Sequence, residues 1–196
     1  LNTKECEDSE FYITVAKKLQ EKEPSALAAY SIASWYYKKS EFATAVKYYD
    51  EAYNIADQME DETEINPFKL KTALAAADCH LRLGQYASTK NKALKALAAD
   101  PNSGEAYMYI GDAYVRGAGS WGENDCQKRA GNWAAVDKFQ IAVAKNPELR
   151  EAINNRISGA KARYPEKNEC FFHNINEGSS ITIGGWIGET IGRNRR

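Results

Sequence analysis

The fold is decided by residues 103–147, which open with SGEAYMYIGDAYVRG (Ser103–Gly117). Aromatic, aliphatic and small residues recur there at helical spacing, at Tyr107, Ile110, Gly111 and Tyr114 and then at Ala135, Phe139, Ala142 and Pro147. Residues three and four apart share one face of a helix. Small residues on that face let a second helix approach closely. The stretch therefore predicts two antiparallel helices packed through small residues.

The same pattern occurs twice upstream, which indicates a repeat. Tyr36, His80 and Tyr114 occupy one slot of the pattern and are 44 and 34 residues apart. The second helices carry matching residues, at Ala45, Tyr49 and Ala52 in the first unit and at Ala93 and Ala96 in the second. One helix pair cannot bury its apolar face alone. We therefore expect an all-α stack of about three pairs between capping helices.

The spacing of these repeats predicts the order of segments along the chain. The segments are an N-terminal capping helix in 1–24, a first repeat in 25–58, a connector in 59–69, a second repeat in 70–103, a third repeat in 104–149 with an inserted loop in 118–129, a C-terminal capping helix in 150–165 and a tail in 166–196. Asn66 before Pro67 is typical of a helix N-cap with proline at the first helical position.

The tail has a different composition from the helical body. Ser180–Ile191 reads SITIGGWIGETI and alternates β-branched residues around Gly184 and Gly185. This pattern predicts a short β-hairpin with a tight turn. An isolated hairpin is marginally stable, so we expect it to pack on the last helices through Phe171, Phe172 and Trp186.

Composition excludes several classes of partner. The 196 residues are 43% hydrophobic and carry a net charge of -1. A near-neutral chain lacks the basic stripe that nucleic-acid binding requires. A bilayer span needs about 20 consecutive apolar residues, and the sequence contains no such run. We expect neither a nucleic-acid partner nor a membrane span.

No motif indicates catalysis, a metal or a cofactor. The four cysteines have no zinc-type spacing. His80 follows Cys79, but adjacent helical residues point about 100° apart, and His80 occupies the slot of Tyr36. We therefore interpret His80 as a core residue and expect a protein that is not an enzyme.

The repeat pattern resembles the tetratricopeptide repeat (TPR) over roughly residues 25–147. The resemblance implies a right-handed helical solenoid, here with a hairpin-like tail. The tail, the opening residues 2–9 and the segment from Cys126 to Phe139 are similar to a group of Bacteroidetes TPR proteins. That similarity implies a longer parent with more repeats upstream and export to the periplasm or cell envelope; a cytoplasmic location is the alternative.

The TPR resemblance also implies a binding groove, because first helices line the concave face of such solenoids. The implied groove residues are Tyr30, Ser34, Tyr37, Lys38, Leu74, Asp78, Leu81, Arg82, Met108, Asp112 and Arg116. The aspartates and arginines could instead pair across neighbouring helices. The Lys–Asn clamp of TPRs that bind C-terminal carboxylates is absent, which disfavours that ligand.

Two functions remain at this stage. One is a non-enzymatic module that binds a peptide or partner protein in the groove. The other is a scaffold of the cell envelope that acts through self-assembly, and a homo-oligomer fits this hypothesis.

The cysteines lead to a separate prediction. Cys126 lies in the inserted loop and Cys170 opens the tail, so we expect these two to meet in a disulfide. Cys79 is then reduced and buried, and Cys6 is free or paired upstream. The alternative is four free thiols in a cytosolic protein.

Overall fold

The computed structural model describes residues 10–175 and 178–192, and the chain divides into two compact units, residues 1–101 and 102–196. The described residues form nine α-helices and one two-stranded antiparallel sheet. The mostly helical class and the small C-terminal sheet predicted from the sequence are therefore confirmed. Cys6 and the opening residues 2–9 lie outside the described residues.

The first unit contains two equivalent helix hairpins. Its helices are α1 (Glu10–Lys22), α2 (Ala26–Lys38), α3 (Phe42–Ile55), α4 (Glu62–Arg82) and α5 (Tyr86–Ala99), with a 3-10 turn at Ala56–Gln58. The turns α2–α3 and α4–α5 have three residues each, with Ser40 (φ 61°) and Gly84 (φ 71°) in the left-handed region. The N–H groups of Glu41 and Gln85 donate to the carbonyls of Tyr36 and His80, at 2.9 Å in both turns. The hairpins thus match at the 44-residue offset.

Small residues bring the helices of the first unit together. Ala33 of α2 and Ala45 of α3 are fully buried, in a cluster with Ile32, Tyr36 and Tyr49. Alanines remove side-chain bulk at the contact and the tyrosines fill the remaining space, which gives the close packing of a protein interior.

The predicted connector 59–69 is wrong, because α4 begins at Glu62. Asp61 is the N-cap and accepts a hydrogen bond from the Thr63 N–H at 2.9 Å. Glu62 and Glu64 add negative charge where the helix dipole favours it. Pro67 therefore lies inside the helix, and Asn66 is not the N-cap. The helix therefore continues through Pro67, whose nitrogen cannot donate a backbone hydrogen bond.

The second unit consists of helices and the terminal hairpin. Its elements are α6 (Gly104–Gly117), a 3-10 turn (Ala118–Ser120), α7 (Asp125–Lys145), a 3-10 turn (Pro147–Leu149), α8 (Arg150–Lys161), α9 (Lys167–Phe171), β1 (Ser180–Ile183) and β2 (Glu189–Gly192). The predicted loop 118–129 is too long, because Asn124 caps α7 by accepting from the Gln127 N–H at 2.9 Å.

The hairpin packs through isoleucines and not through the predicted phenylalanines. Ile181 pairs with Ile191 across the strands, and Ile183 and Ile187 are fully buried. Phe171 and Phe172 are 67% and 79% exposed, so their predicted packing role is wrong. Strand alternation turns Ile181 and Ile183 inward, whereas Phe171 and Phe172 lie at the end of helix α9 and outside both strands. The predicted tight turn is a five-residue connection, residues 184–188.

A disulfide joins Cys126 and Cys170, whose Cα atoms are 5.0 Å apart. Both cysteines lie in helices, α7 and α9, and not in the loops that the sequence indicated. The bond attaches the start of the tail to the first turn of α7. Cys79 is a free, buried thiol.

Candidate binding surface

The structure brings predicted groove residues of α2 and α4 into direct contact. The Tyr37 hydroxyl donates to Asp78 Oδ2 at 2.6 Å, and Arg82 Nε donates to the same oxygen at 2.6 Å. The Arg82 guanidinium also lies 5.4 Å from the ring centre of Tyr37 and 5.3 Å from that of Phe42. Asp78 therefore anchors a tyrosine of one helix and an arginine of its own helix.

A second contact joins the same two helices nearer the start of α2. Lys71 Nζ lies 4.2 Å from the ring centre of Tyr30. The Tyr30 ring in turn packs against Phe68 of α4 and Tyr49 of α3, with ring centres 5.7 and 5.4 Å away. We call the surface formed by Tyr30, Tyr37, Lys71, Asp78 and Arg82 the α2–α4 face.

The electrostatics of the α2–α4 face follow from these contacts. Burial, with the hydrogen bond to Asp78, raises the pKa of Tyr37 above its ordinary value. The hydrogen bond and charge of Asp78 raise the pKa of Arg82, so that side chain stays cationic. The Arg82 side chain is 50% exposed and that of Asp78 only 18%. The face thus presents the cations of Lys71 and Arg82 to solvent, leaves the rings of Tyr30 and Tyr37 half-buried and holds its carboxylate inward.

The other predicted residues of the first unit vary in exposure. Ser34 is half-buried, and its hydroxyl donates to the Tyr30 carbonyl at 2.9 Å. Lys38 is exposed and Leu74 is half-buried. Leu81 is only 6% exposed and has little surface to offer a ligand. Leu81 was assigned to the groove from its position in the repeat, but its side chain is not accessible.

In the second unit, the predicted residues lie along α6. Arg156 of α8 donates from Nε to both carboxylate oxygens of Asp112, at 3.0 and 3.2 Å. Arg116 is exposed and Met108 is half-buried. Arg156 lies on α8, so Asp112 does pair with an arginine of another helix, but that arginine is not one of the predicted groove residues.

Phe42 and Arg156 are among the residues of these contacts that the predicted groove set does not contain. Phe42 is the first residue of α3, directly after the hairpin turn that contains Ser40 and Glu41. That position next to the turn is the sequence feature from which its contact with Arg82 could have been predicted. Arg156 lies 44 residues beyond Asp112, and no local pattern in the sequence connects the two.

Across residues 10–175 and 178–192, no group of three or more His, Cys, Asp or Glu side chains is arranged to hold a metal ion. In the same ranges, no helix has the length and apolar character needed to cross a bilayer. Comparison of the chain with protein-family models and with curated proteins finds no match.

Proposed function

We propose that this chain is a non-enzymatic protein-interaction module, a solenoid of the TPR type, and that it binds a peptide segment or partner protein on the α2–α4 face. The observation that supports this most directly is the Tyr37–Asp78–Arg82 contact. It fixes two successive first helices side by side and keeps their side chains in defined positions before a ligand arrives. Preorganisation of this kind lowers the entropic cost of binding.

The chemistry of the face indicates the ligand. Lys71 and Arg82 stand over tyrosine rings, and both are exposed. Arginine binds carboxylates in a planar, two-pronged geometry, and aromatic rings supply apolar contact. Tyrosine and arginine are also the residues that most often dominate the energy of a protein interface. A peptide with acidic and apolar side chains is therefore the ligand that this face suits.

A displayed library of random peptides tests the proposal. Peptides selected on the wild-type protein are labelled, and their Kd values are measured by fluorescence anisotropy. We expect Lys71→Glu combined with Arg82→Glu to weaken binding by at least tenfold, because it reverses the charge facing the ligand. Arg82→Gln alone should weaken binding less, because it removes one charge and reverses none. This single variant keeps the test valid if the double variant unfolds.

A matched control distinguishes an effect of the α2–α4 face from an effect of the protein's net charge. Lys47→Glu with Lys161→Glu makes the same change in charge at exposed lysines of α3 and α8. Binding by this control should equal that of the wild type. Equal affinity in the wild type, the face variant and the control would contradict the proposal.

A scaffold that self-assembles is the second candidate function, and the exposed pair Phe171 and Phe172 favours it. Large apolar side chains in solvent are often interaction sites. For either function we propose a location in the periplasm or cell envelope. The Cys126–Cys170 disulfide supports this location, because such bonds persist in oxidising compartments.

A further inference from the structure

An apolar pocket opens in the first unit, where α2 and α4 begin and α3 ends. It has a volume of about 460 Å³ and is lined by the apolar side chains of Leu27, Ile55 and Met59, with Pro24 beside them. We call it the Leu27 pocket. Leu27 is 61% exposed. A concave and mostly apolar site of this size is the usual setting for an apolar group of a ligand.

The lining of the Leu27 pocket is fixed by contacts behind it. Ile55 and Met59 pack against the buried cluster that contains Phe68 of α4. The start of α2 is held by the Ser25 N–H, which donates to Gln20 Oε1 at 3.0 Å. Gln20 is itself only 4% exposed. Because these positions are set before a ligand arrives, binding has little of the chain to order.

The charged side chains of the pocket are all acidic. Glu60, Asp61 and Glu64 line it, and all three are exposed. Among the residues that the structure describes, no lysine, arginine or histidine lines the pocket. The first lysine of α4, Lys69, bonds Asp57 at 2.6 Å. The pocket therefore combines an apolar floor with negative charge.

The helix dipole explains only part of this charge. Glu64 lies in the first turn of α4, where a carboxylate is favourable, and Asp61 is the N-cap of that helix. Glu60 precedes the N-cap and lies outside the helix. Its carboxylate adds charge to the pocket without capping α4.

We propose that the Leu27 pocket binds a peptide segment of a partner protein in which a large apolar side chain is flanked by lysine or arginine. The apolar side chain covers Leu27 and Met59, and the flanking cations lie against Glu60 and Glu64. Opposite charge attracts such a segment and disfavours an acidic one. The α2–α4 face presents cations and suits acidic peptides. The two sites therefore select different ligands, and this proposal does not depend on the α2–α4 face.

The probe is the labelled, end-capped peptide GSRLKSG. Fluorescence anisotropy with the full chain should show saturable binding, and the affinity should fall as salt is raised, because salt screens exposed charges. Two matched peptides separate the contributions. GSELESG reverses the flanking charges and GSRSKSG removes the apolar side chain, so neither should bind.

Two variants of the protein test the pocket itself. Glu60→Gln with Glu64→Gln should weaken binding of GSRLKSG about tenfold or more, because it removes two carboxylates from the pocket. Asp61 is left unchanged because it caps α4. Leu27→Ser should weaken binding by removing the apolar floor. Its melting temperature should stay close to that of the wild type, because the side chain is largely exposed.

Glu148→Gln with Glu151→Gln is the matched control. It makes the same change in charge at exposed glutamates of another helix start, beside and within α8. It should bind the probe like the wild type. No saturable binding of GSRLKSG, equal binding of GSELESG, or equal loss in the control would overturn the proposal. Displacement of the probe by an acidic peptide selected on the α2–α4 face would also overturn it, because both ligands would then occupy one site.

Discussion

Gly111 lies directly beneath the ring of Phe139, at the contact between α6 and α7. A Cβ atom added at Gly111 would be 2.5 Å from Phe139 Cε1 and 2.7 Å from Cδ1. The ring is fully buried, so it cannot move aside without disturbing its neighbours. We predict that Gly111→Ala lowers the free energy of unfolding by about 1–3 kcal/mol, as overpacking does. Urea denaturation measures the change.

Gly119→Ala is the control for that substitution. No atom lies within 4 Å of a Cβ at Gly119, in the 3-10 turn that follows α6. Its free energy of unfolding should stay within about 0.5 kcal/mol of the wild type. If both glycine variants unfold like the wild type, the close contact assigned to Gly111 is wrong.

Cys79 gives a prediction that depends on pH. Burial, with the nearby charge of Asp78, raises the pKa of the Cys79 thiol to about 12. Because the thiolate is the reactive form, only about one thiol in ten thousand is reactive at pH 8. The peptide that contains Cys79 should stay unalkylated by iodoacetamide in the native protein at pH 8 and become alkylated in urea. Rapid alkylation in the native protein would refute its burial.

The same shift has a consequence for stability. The folded pKa lies above the ordinary value of 9.0, so the folded state favours the neutral thiol. The stabilisation is complete below pH 9 and is lost as the pH rises toward 12. Cys79→Ala should therefore reduce the loss of stability over that interval.

Some of these side-chain contacts can be predicted from the sequence and others cannot. Asp78 and Arg82 are four apart on one helix, so their pairing follows from helix geometry. The bond from Arg156 to Asp112 spans 44 residues and depends on how α8 packs against α6. Tertiary packing decides such a contact, and no local spacing indicates it.

At the scale of elements, the tail is attached by its strand residues. Ile183→Ala should lower the free energy of unfolding by about 2–5 kcal/mol, because it removes a fully buried side chain and leaves a cavity. Phe172→Ala, at a 79% exposed position, should change it by less than about 0.5 kcal/mol. Urea denaturation with the disulfide intact compares the two. A larger loss for Phe172→Ala would contradict the packing of the hairpin.

The existence of the main helices was predictable, but two of their starting points were not. Period and small residues identify α2, α3 and α5, because one amphipathic face defines each. The starts of α4 and α7 depend on caps at Asp61 and Asn124, which compete with the breaking signals of Pro67 and of the glycines before α7. Likewise, strand alternation predicted the hairpin. It did not predict that Ile187 is buried while Phe171 and Phe172 are exposed.

At the scale of the whole molecule, the first unit repeats one helix hairpin, and the proposed function depends on the α2–α4 face that this repetition creates. There α2 and α4 meet side by side through Tyr37 and Asp78. The side chains of this face are held by bonds within the first unit, an arrangement that suits the proposed recognition of another protein.

The most direct test of the proposed function is a two-dimensional amide NMR titration of the wild-type chain with a library-selected peptide. The account predicts that shifted amides cluster in residues 30–38 and 71–82, around the Tyr37–Asp78–Arg82 contact, and that Arg82→Gln reduces the shifts. Saturable binding whose shifts fall instead in the terminal hairpin, Ser180–Gly192, or in α8 would contradict it.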